Sequence, residues 1–240
     1  MKRNEMSLVR KDLAPAGTLR AAINLGNAVL AQKIPGPDGI QGISVEIARE
    51  LAGSLEVELE CIPFKSAGAV VEALEQDAWT VAFLAIDPKR AEKIAFTESY
   101  CAIEGSYLVR TESRFFANKD VDQPGVRIAV GKNAAYDLYL SRNLESAELV
   151  RAATTPGALE LFVEENLEVA AGVKLPLLNF ADKNPSFRVL DEPFMAINQA
   201  MCTPQGHPAG FDYLKTFIAE IKNNGTLEQI FRKFDQSDLL

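Results

Sequence analysis

The sequence has few of the residues that build metal sites and thiol chemistry. Its 240 residues include one histidine, His207, and three cysteines, Cys61, Cys101 and Cys202. The cysteines lie far apart, and zinc sites or thiol–imidazole catalysis need more donors than these. We therefore predict no metal ion and no cofactor. We also expect three free thiols, because a disulfide needs Cα atoms within about 7 Å and these cysteines fall on separate predicted elements.

Long apolar runs and basic clusters are also missing. No stretch approaches the roughly 20 apolar residues that cross a bilayer, so we predict no membrane insertion. The formal net charge of −8, without a basic cluster, argues against nucleic acid and anionic membranes as partners. The first 20 residues begin basic but lack the apolar core of a secretory signal. We expect a protein that stays in the cytoplasm, or one from which a signal has been removed.

The composition is that of an ordinary globular protein, with 48% hydrophobic and 24% charged residues. Residues 1–17 are polar, and we predict that they are loose. Strands and helices then alternate up to residue 86 and again from 126 to 172, which predicts an α/β fold with parallel sheets. Extended segments at 107–110 and 199–201 predict two chain crossings. We therefore expect two lobes, 1–109 plus 202–240 and 110–201, with a ligand cleft between them.

One stretch in the first half combines a buried strand with a helix start. Val81–Ile86 is apolar, and Asp87 followed by proline is a strong signal for the first turn of a helix. Arg90 then lies just beyond the carboxyl end of the strand, where open α/β sheets bind ligands. A guanidinium can bind a carboxylate through two parallel hydrogen bonds, in a bidentate contact. The alternative is a solvated basic face formed by Lys89, Arg90 and Lys93.

The order of motifs resembles the bacterial extracellular solute-binding proteins of family 3, the polar amino-acid receptors of ABC transporters. The matching stretches cover most of residues 18–235: LRAAINLGN, GISVEIARELA, IDPKRAEKIAFTESY, GSYLVR, VRIAVGKNAAYDLYL and FDYLKTFIAEIKNNGTLEQIFRKF. The resemblance implies the type II periplasmic-binding-protein fold, in which two α/β lobes close over a ligand. It also implies a small-molecule solute and an ABC-transporter permease as partners.

The resemblance assigns expected roles to residues of the first lobe. Arg90 falls where the family arginine holds the ligand's α-carboxylate. Phe83 and Ala85 occupy the places of the small hydroxyl residues that assist it. Asn24 falls where an acidic residue often lies, and Asn27 where an aromatic ring often stacks on the ligand. Phe83 could also cover an apolar part of the ligand, or it could be an ordinary packing residue.

In the second lobe the sequence departs from the family pattern. A helix start that usually offers hydroxyl groups reads Lys132–Ala135 here, and we expect Asn133 and Tyr136 to contact the ligand, although Tyr136 could equally pack the core. The aspartate that binds a ligand's amino group would fall at Val173, with Lys174 beside it. A buried ammonium without a carboxylate costs several kcal/mol. We therefore expect a monoanion rather than an amino acid; Lys174 could instead face solvent.

Three functions remain open from the sequence. The first is a receptor for a small anionic, carboxylate-bearing solute, without enzymatic activity. The second is an enzyme of the same fold, resembling the dehydratases among these receptors' relatives, with Glu98, Glu104 and Asp137 as candidate acids or bases and no evident pairing with His207. The third is a cytoplasmic ligand-sensing domain without a transport partner.

Overall fold

The computed structural model describes residues 3–36 and 39–240, which divide into two compact units. The first unit holds the chain up to Ala102 together with Asn198–Leu240, and the second unit holds Ile103–Ile197. The chain passes from one unit to the other within two long strands, Ile94–Arg110 and Met195–Pro204. The lobe boundaries expected from the sequence lay at 109/110 and 201/202.

Helices and strands alternate along most of the described chain. The helices are α1 (Arg3–Leu13), α2 (Ile43–Leu55), α3 (Ala67–Glu72), α4 (Pro88–Ala91), α5 (Ala135–Asn143), α6 (Thr155–Glu164), α7 (Lys174–Lys183), α8 (Pro208–Asn223) and α9 (Thr226–Lys233). The strands are β1 (Thr18–Asn24), β2 (Gln32–Lys33), β3 (Ile40–Gln41), β4 (Glu58–Phe64), β5 (Val81–Ala85), β6 (Ile94–Arg110), β7 (Arg127–Gly131), β8 (Glu148–Ala152), β9 (Val169–Val173), β10 (Phe187–Val189) and β11 (Met195–Pro204).

The sheet of the first unit runs in the order β4-β1-β5-β11. The first three strands are parallel, and β11 is antiparallel to β5. A buried cluster around Trp79, Leu84 and Cys202 lies on this sheet. Because β1, β4 and β5 are parallel, their carboxyl ends meet at one edge, and the loops that follow β1 and β5 are neighbours there.

The described part of the N-terminal segment is folded, so the prediction of a loose segment at 1–17 is wrong from residue 3 onwards, and residues 1 and 2 lie outside the described residues. Residues 3–13 form α1, which packs against α8. Leu13 is fully buried, and Asp12 accepts a hydrogen bond from the Gly210 N–H at 2.9 Å. A Cβ atom on Gly210 would lie 2.7 Å from Leu13 Cδ2, so glycine permits the close approach. These tertiary contacts stabilise the helix.

The second unit repeats the parallel pattern. Strands β8, β7 and β9 are parallel neighbours, and β6 is antiparallel to β9. The short strand β10, which the sequence did not predict, pairs with β6. Phe162 and Leu167 lie in the buried core of this unit. The α/β class with parallel sheets is confirmed.

Cys61, Cys101 and Cys202 are free thiols. Cys101 and Cys202 are buried, and burial raises the pKa of the Cys101 thiol to about 12. A search of residues 3–36 and 39–240 finds no helix with the length and apolar character that a bilayer crossing requires. In the same ranges, no three histidine, cysteine or acidic side chains come together as metal ligands.

Candidate functional site

Arg90 is buried directly beyond the carboxyl end of β5. All five residues of β5 are buried, and Asp87 begins α4 by accepting the Lys89 N–H at 2.9 Å. The Arg90 side chain is only 4% exposed, and its Nη1 donates to the Ala85 carbonyl oxygen at 2.9 Å. This burial rules out a solvated basic face for Arg90. The strand end and the helix cap together fix the guanidinium in place.

A second buried charge lies in the same turn. Asp87 is 3% exposed. Burial, the largest effect, lowers the pKa of Arg90, and the negative charge of Asp87 offsets part of that shift. The sequence argument for a monoanionic ligand treated Arg90 as a guanidinium without a counter-charge. Asp87 places a negative charge near Arg90 within the protein, so the premise of a guanidinium with no negative charge nearby does not hold.

The two asparagines after β1 shape the neighbouring loop. Asn24 Oδ1 accepts the Gly26 N–H at 2.9 Å, and Asn27 Oδ1 accepts the Val29 N–H at 3.3 Å. Each amide oxygen therefore stabilises its own turn, which is a common use of asparagine in loops. Glycine fits this tight loop, since a Cβ atom on Gly26 would lie 3.0 Å from both Asn24 Oδ1 and the Lys65 carbonyl oxygen.

Phe83 and Ala85 lie on β5 and are both buried. The Phe83 ring packs edge-on against Tyr100, with ring centroids 6.3 Å apart, and Tyr100 packs in the same way against Phe231. The structure therefore places Phe83 in an aromatic core. Gln199 on β11 lies directly across from Ala85 and is 5% exposed. The sequence reasoning missed this buried polar neighbour, although it interrupts an apolar run.

In the second unit, the predicted residues after β7 support the start of α5. Asn133 adopts a positive φ of 59°, and its N–H donates to Asp137 Oδ2 at 2.8 Å. Asp137 is buried, and its Oδ1 accepts from Arg151 Nε at 3.0 Å. The Tyr136 hydroxyl lies 3.4 Å from Thr155 Oγ1, and burial raises the tyrosine pKa. The backbone of Asn133 and the side chains of Asp137 and Tyr136 therefore have structural roles within the unit.

Val173 and Lys174 lie at the end of β9, beside a carboxylate that the sequence reasoning did not place there. Val173 pairs with Gly105 on β6, so Glu104 is the next residue along the neighbouring strand. Lys174 Nζ lies 2.6 Å from Glu104 Oε2 and 3.3 Å from the Asp191 carbonyl oxygen. Residue 173 is valine where the family pattern has an aspartate, but the Glu104 carboxylate lies on the neighbouring strand beside it.

The candidate acids and bases are engaged in other contacts. Glu104 pairs with Lys174, and Asp137 pairs with Arg151. Glu98 lies 3.6 Å from Lys222. The lone histidine has its Nδ1 at 3.2 Å from the Pro204 carbonyl oxygen. None of the contacts of the described residues joins the histidine to a carboxylate as a general base would require.

Comparison with known proteins gives a family match over most of the chain. Residues 32–237 match a model of the bacterial extracellular solute-binding proteins, family 3. No curated protein matches the chain in sequence.

Solved structures with the same fold are numerous, and three illustrate the likeness. A binding component of an ABC transporter from Wolinella succinogenes complexed with lysine is 21% identical, with a TM-score of 0.76 over 91% of this chain and 95% of that one. AbpA from Streptococcus pneumoniae, an amino acid ABC transporter substrate-binding protein bound to L-arginine, is 17% identical, with a TM-score of 0.77 over 95% and 98%. An ancestral amino acid-binding protein, AncCDT-1, described as a precursor of cyclohexadienyl dehydratase, is 19% identical, with a TM-score of 0.77 over 95% and 98%. At these identities the likeness establishes the fold, which is the type II periplasmic-binding-protein fold expected from the sequence.

Proposed function

The chain belongs to the bacterial extracellular solute-binding proteins, family 3, and we propose from this premise that it binds a small solute through a carboxylate held by Arg90. The protein is a solute-binding protein of the ABC-transporter type. In the proposed function it delivers the solute to a permease and does not transform it.

The observation that carries this proposal is the buried Arg90. Charged side chains are almost never fully buried unless they are paired. Buried ionisable groups with a specific charge partner are also common at functional sites. Arg90 lies where ligands bind in open α/β sheets, and the Ala85 carbonyl orients one edge of its guanidinium. An oriented guanidinium is the group that best matches a carboxylate.

The ligands of the similar structures agree with a carboxylate-bearing solute. Lysine and L-arginine, bound in two of them, and glutamine, bound in an ancestral arginine-binding protein, all carry an α-carboxylate. The two premises that favoured a monoanion have changed, because Asp87 accompanies Arg90 and Glu104 lies beside Val173. An amino acid is therefore compatible with the proposed site.

Calorimetry tests the carboxylate requirement. The protein is unfolded and refolded to remove bound solute, then titrated with the common L-amino acids and with the carboxamide of each one that binds. We expect at least one amino acid to bind and its carboxamide to bind at least about tenfold more weakly, a difference of about 1.4 kcal/mol.

Arg90→Lys provides the residue-level test, because lysine keeps the charge but loses the planar fork. We expect this variant to lose most of its affinity while remaining folded in a thermal melt. Lys89→Met is the matched control, since it removes an exposed cation from the same turn. Unchanged affinity in Arg90→Lys, or equal binding of acid and carboxamide, would contradict the proposal.

A further inference from the structure

Gln199 carries a polar side chain that is buried next to the proposed carboxylate anchor. It lies on β11 and belongs to the first unit, as Ala85 and Arg90 do. Only 5% of its surface is exposed. Burying an amide costs free energy unless the amide forms hydrogen bonds, so a buried glutamine is expected to have a partner.

The described part of the chain contains no such partner. The Gln199 side chain forms no hydrogen bond with any group of residues 3–36 or 39–240. The polar atoms of these residues that are both unpartnered and sealed from water do not include the Gln199 amide. The amide therefore keeps access to solvent, although the residue is almost completely buried. A bound molecule can reach it through the same opening.

The pairing of β5 with β11 places this amide at the anchor. Gln199 is the antiparallel partner of Ala85, so the two side chains leave the sheet on the same face. The Ile86 N–H donates to the Asn198 carbonyl oxygen at 2.9 Å, which extends the pairing just past the end of β5. The Ala85 carbonyl oxygen in turn accepts from Arg90 Nη1. Since the side chain of Ala85 is a methyl group, the Gln199 amide is the hydrogen-bonding side chain of this pair.

We propose that Gln199 is a specificity-determining residue whose amide N–H donates a hydrogen bond to the solute's carboxylate beside Arg90. This inference rests on the proposed function and adds a second donor to the carboxylate site. Hydrogen bonds to an ionised acceptor are about twice as strong as those between neutral groups. The bound carboxylate supplies the partner that the buried amide lacks within the protein. A solute with a carboxamide in that place offers only a neutral acceptor.

The experiment measures a preference between two solutes rather than one affinity. The probes are L-lysine, L-arginine and L-glutamine, each with its α-carboxamide, because these amino acids are bound in the similar structures. Any other common L-amino acid that binds is compared with its carboxamide in the same way. Calorimetry gives both dissociation constants, and hence their ratio, for the wild-type protein, Gln199→Met and Gln199→Glu.

The two variants change the amide in different ways. Methionine has a similar length and volume but no N–H donor. Glutamate keeps the shape of glutamine, has no N–H donor when ionised, and repels a carboxylate while it can accept an N–H from a carboxamide. The preference for the acid should therefore fall by at least about threefold in Gln199→Met and by at least about tenfold in Gln199→Glu.

Gln229→Glu is the matched control. Gln229 is an exposed residue of α9 in the same unit, so this variant introduces the same charge away from the site and should leave the preference unchanged. A purely structural role of Gln199 would weaken the acid and the carboxamide by the same factor, and the ratio would stay constant.

The outcomes separate this inference from the proposed function. If the wild-type protein prefers the acid and both Gln199 variants keep that preference, the inference is overturned and the anchor at Arg90 stands. A stronger preference for the acid in Gln199→Glu would also overturn it, because the amide would then be an acceptor for the solute. If the wild-type protein binds no amino acid, or binds acid and carboxamide equally, the proposed function fails and this inference fails with it. Thermal melts check that the variants are folded, and Gln199→Met decides alone if Gln199→Glu is not.

Discussion

Asp137 shows how one buried residue supports the second unit. Its carboxylate accepts hydrogen bonds from the Asn133 N–H at 2.8 Å and from Arg151 Nε at 3.0 Å. Asp137→Ala should lower the free energy of unfolding by about 2 kcal/mol, because a backbone donor and a cation lose their acceptor. Urea unfolding measures this loss. Asp212→Ala is the control, since Asp212 forms only an exposed pair with Lys215 and should change stability by less than about 0.5 kcal/mol. Equal losses in the two variants would contradict the account of Asp137.

Asp122 predicts a dependence of stability on pH. The Glu145, Ala147 and Ser146 N–H groups donate to its carboxylate and hold its pKa below the ordinary value of 3.8. The folded protein therefore favours the ionised form, and this stabilisation is fully present above the unfolded pKa. It is lost as the pH falls through the lower, folded pKa.

The measurement is denaturant unfolding of the wild type and Asp122→Asn between about pH 7 and pH 3. The difference in free energy of unfolding should stay constant down to about pH 5 and shrink below about pH 4. A difference that is unchanged at the lowest pH would show that Asp122 does not titrate in this way.

Individual residues of the site were predictable to different degrees. The position of Arg90 followed from local signals, namely a buried strand and an Asp-Pro helix start. The contact of Lys174 with Glu104 joins residues 70 positions apart in sequence. Only the antiparallel pairing of β6 with β9 brings them together, and no local pattern encodes that register. The sequence left Phe83 open between covering the ligand and packing in the core, and its contact with Tyr100 shows the packing role.

At the scale of elements, α1 gives the sharpest prediction. Gly210 on α8 lies against Leu13, and a Cβ atom there would come within 2.7 Å of Leu13 Cδ2. Gly210→Ala should therefore destabilise the protein by about 1–3 kcal/mol through overpacking. Leu13→Ala should cost about 2–5 kcal/mol, since it empties a fully buried position.

The double variant tests whether this contact is the cause. With Leu13 shortened, the added methyl group gains room, so Gly210→Ala should cost less in the Leu13→Ala background. Thermal or urea unfolding of the four proteins completes the cycle. Strict additivity would mean that α1 and α8 are not coupled through this contact.

The elements themselves were largely predictable where their patterns were regular. In α2, apolar residues recur at the spacing of a helix, at Ile43, Ile47, Ala48 and Leu51. The apolar run at Val81 predicted β5. By contrast, α1 was missed because few of its residues are buried and its stability comes from α8. The short strand β10 has only three residues, too few to give a periodic signal.

For the whole molecule, the net charge of −8 contrasts with the local balance at the site. Arg90 has the negative charge of Asp87 in its own turn. Its positive charge is therefore compensated locally, without a contribution from the other acidic residues of the chain. An amino acid at neutral pH carries no net charge, so salt has little long-range attraction between the solute and the protein to screen. The dissociation constant for an amino acid should change by less than about twofold between low salt and about 0.5 M salt. Calorimetry at two salt concentrations measures it, and a tenfold weakening would indicate binding driven by a net charge.

The most direct test of the central claim is calorimetric titration of the refolded protein and its Arg90→Lys variant with an L-amino acid. The account predicts that the wild-type protein binds at least one amino acid, and that Arg90→Lys loses most of this affinity while melting as a folded protein. A folded Arg90→Lys variant that binds the same amino acid as tightly as the wild type would contradict it.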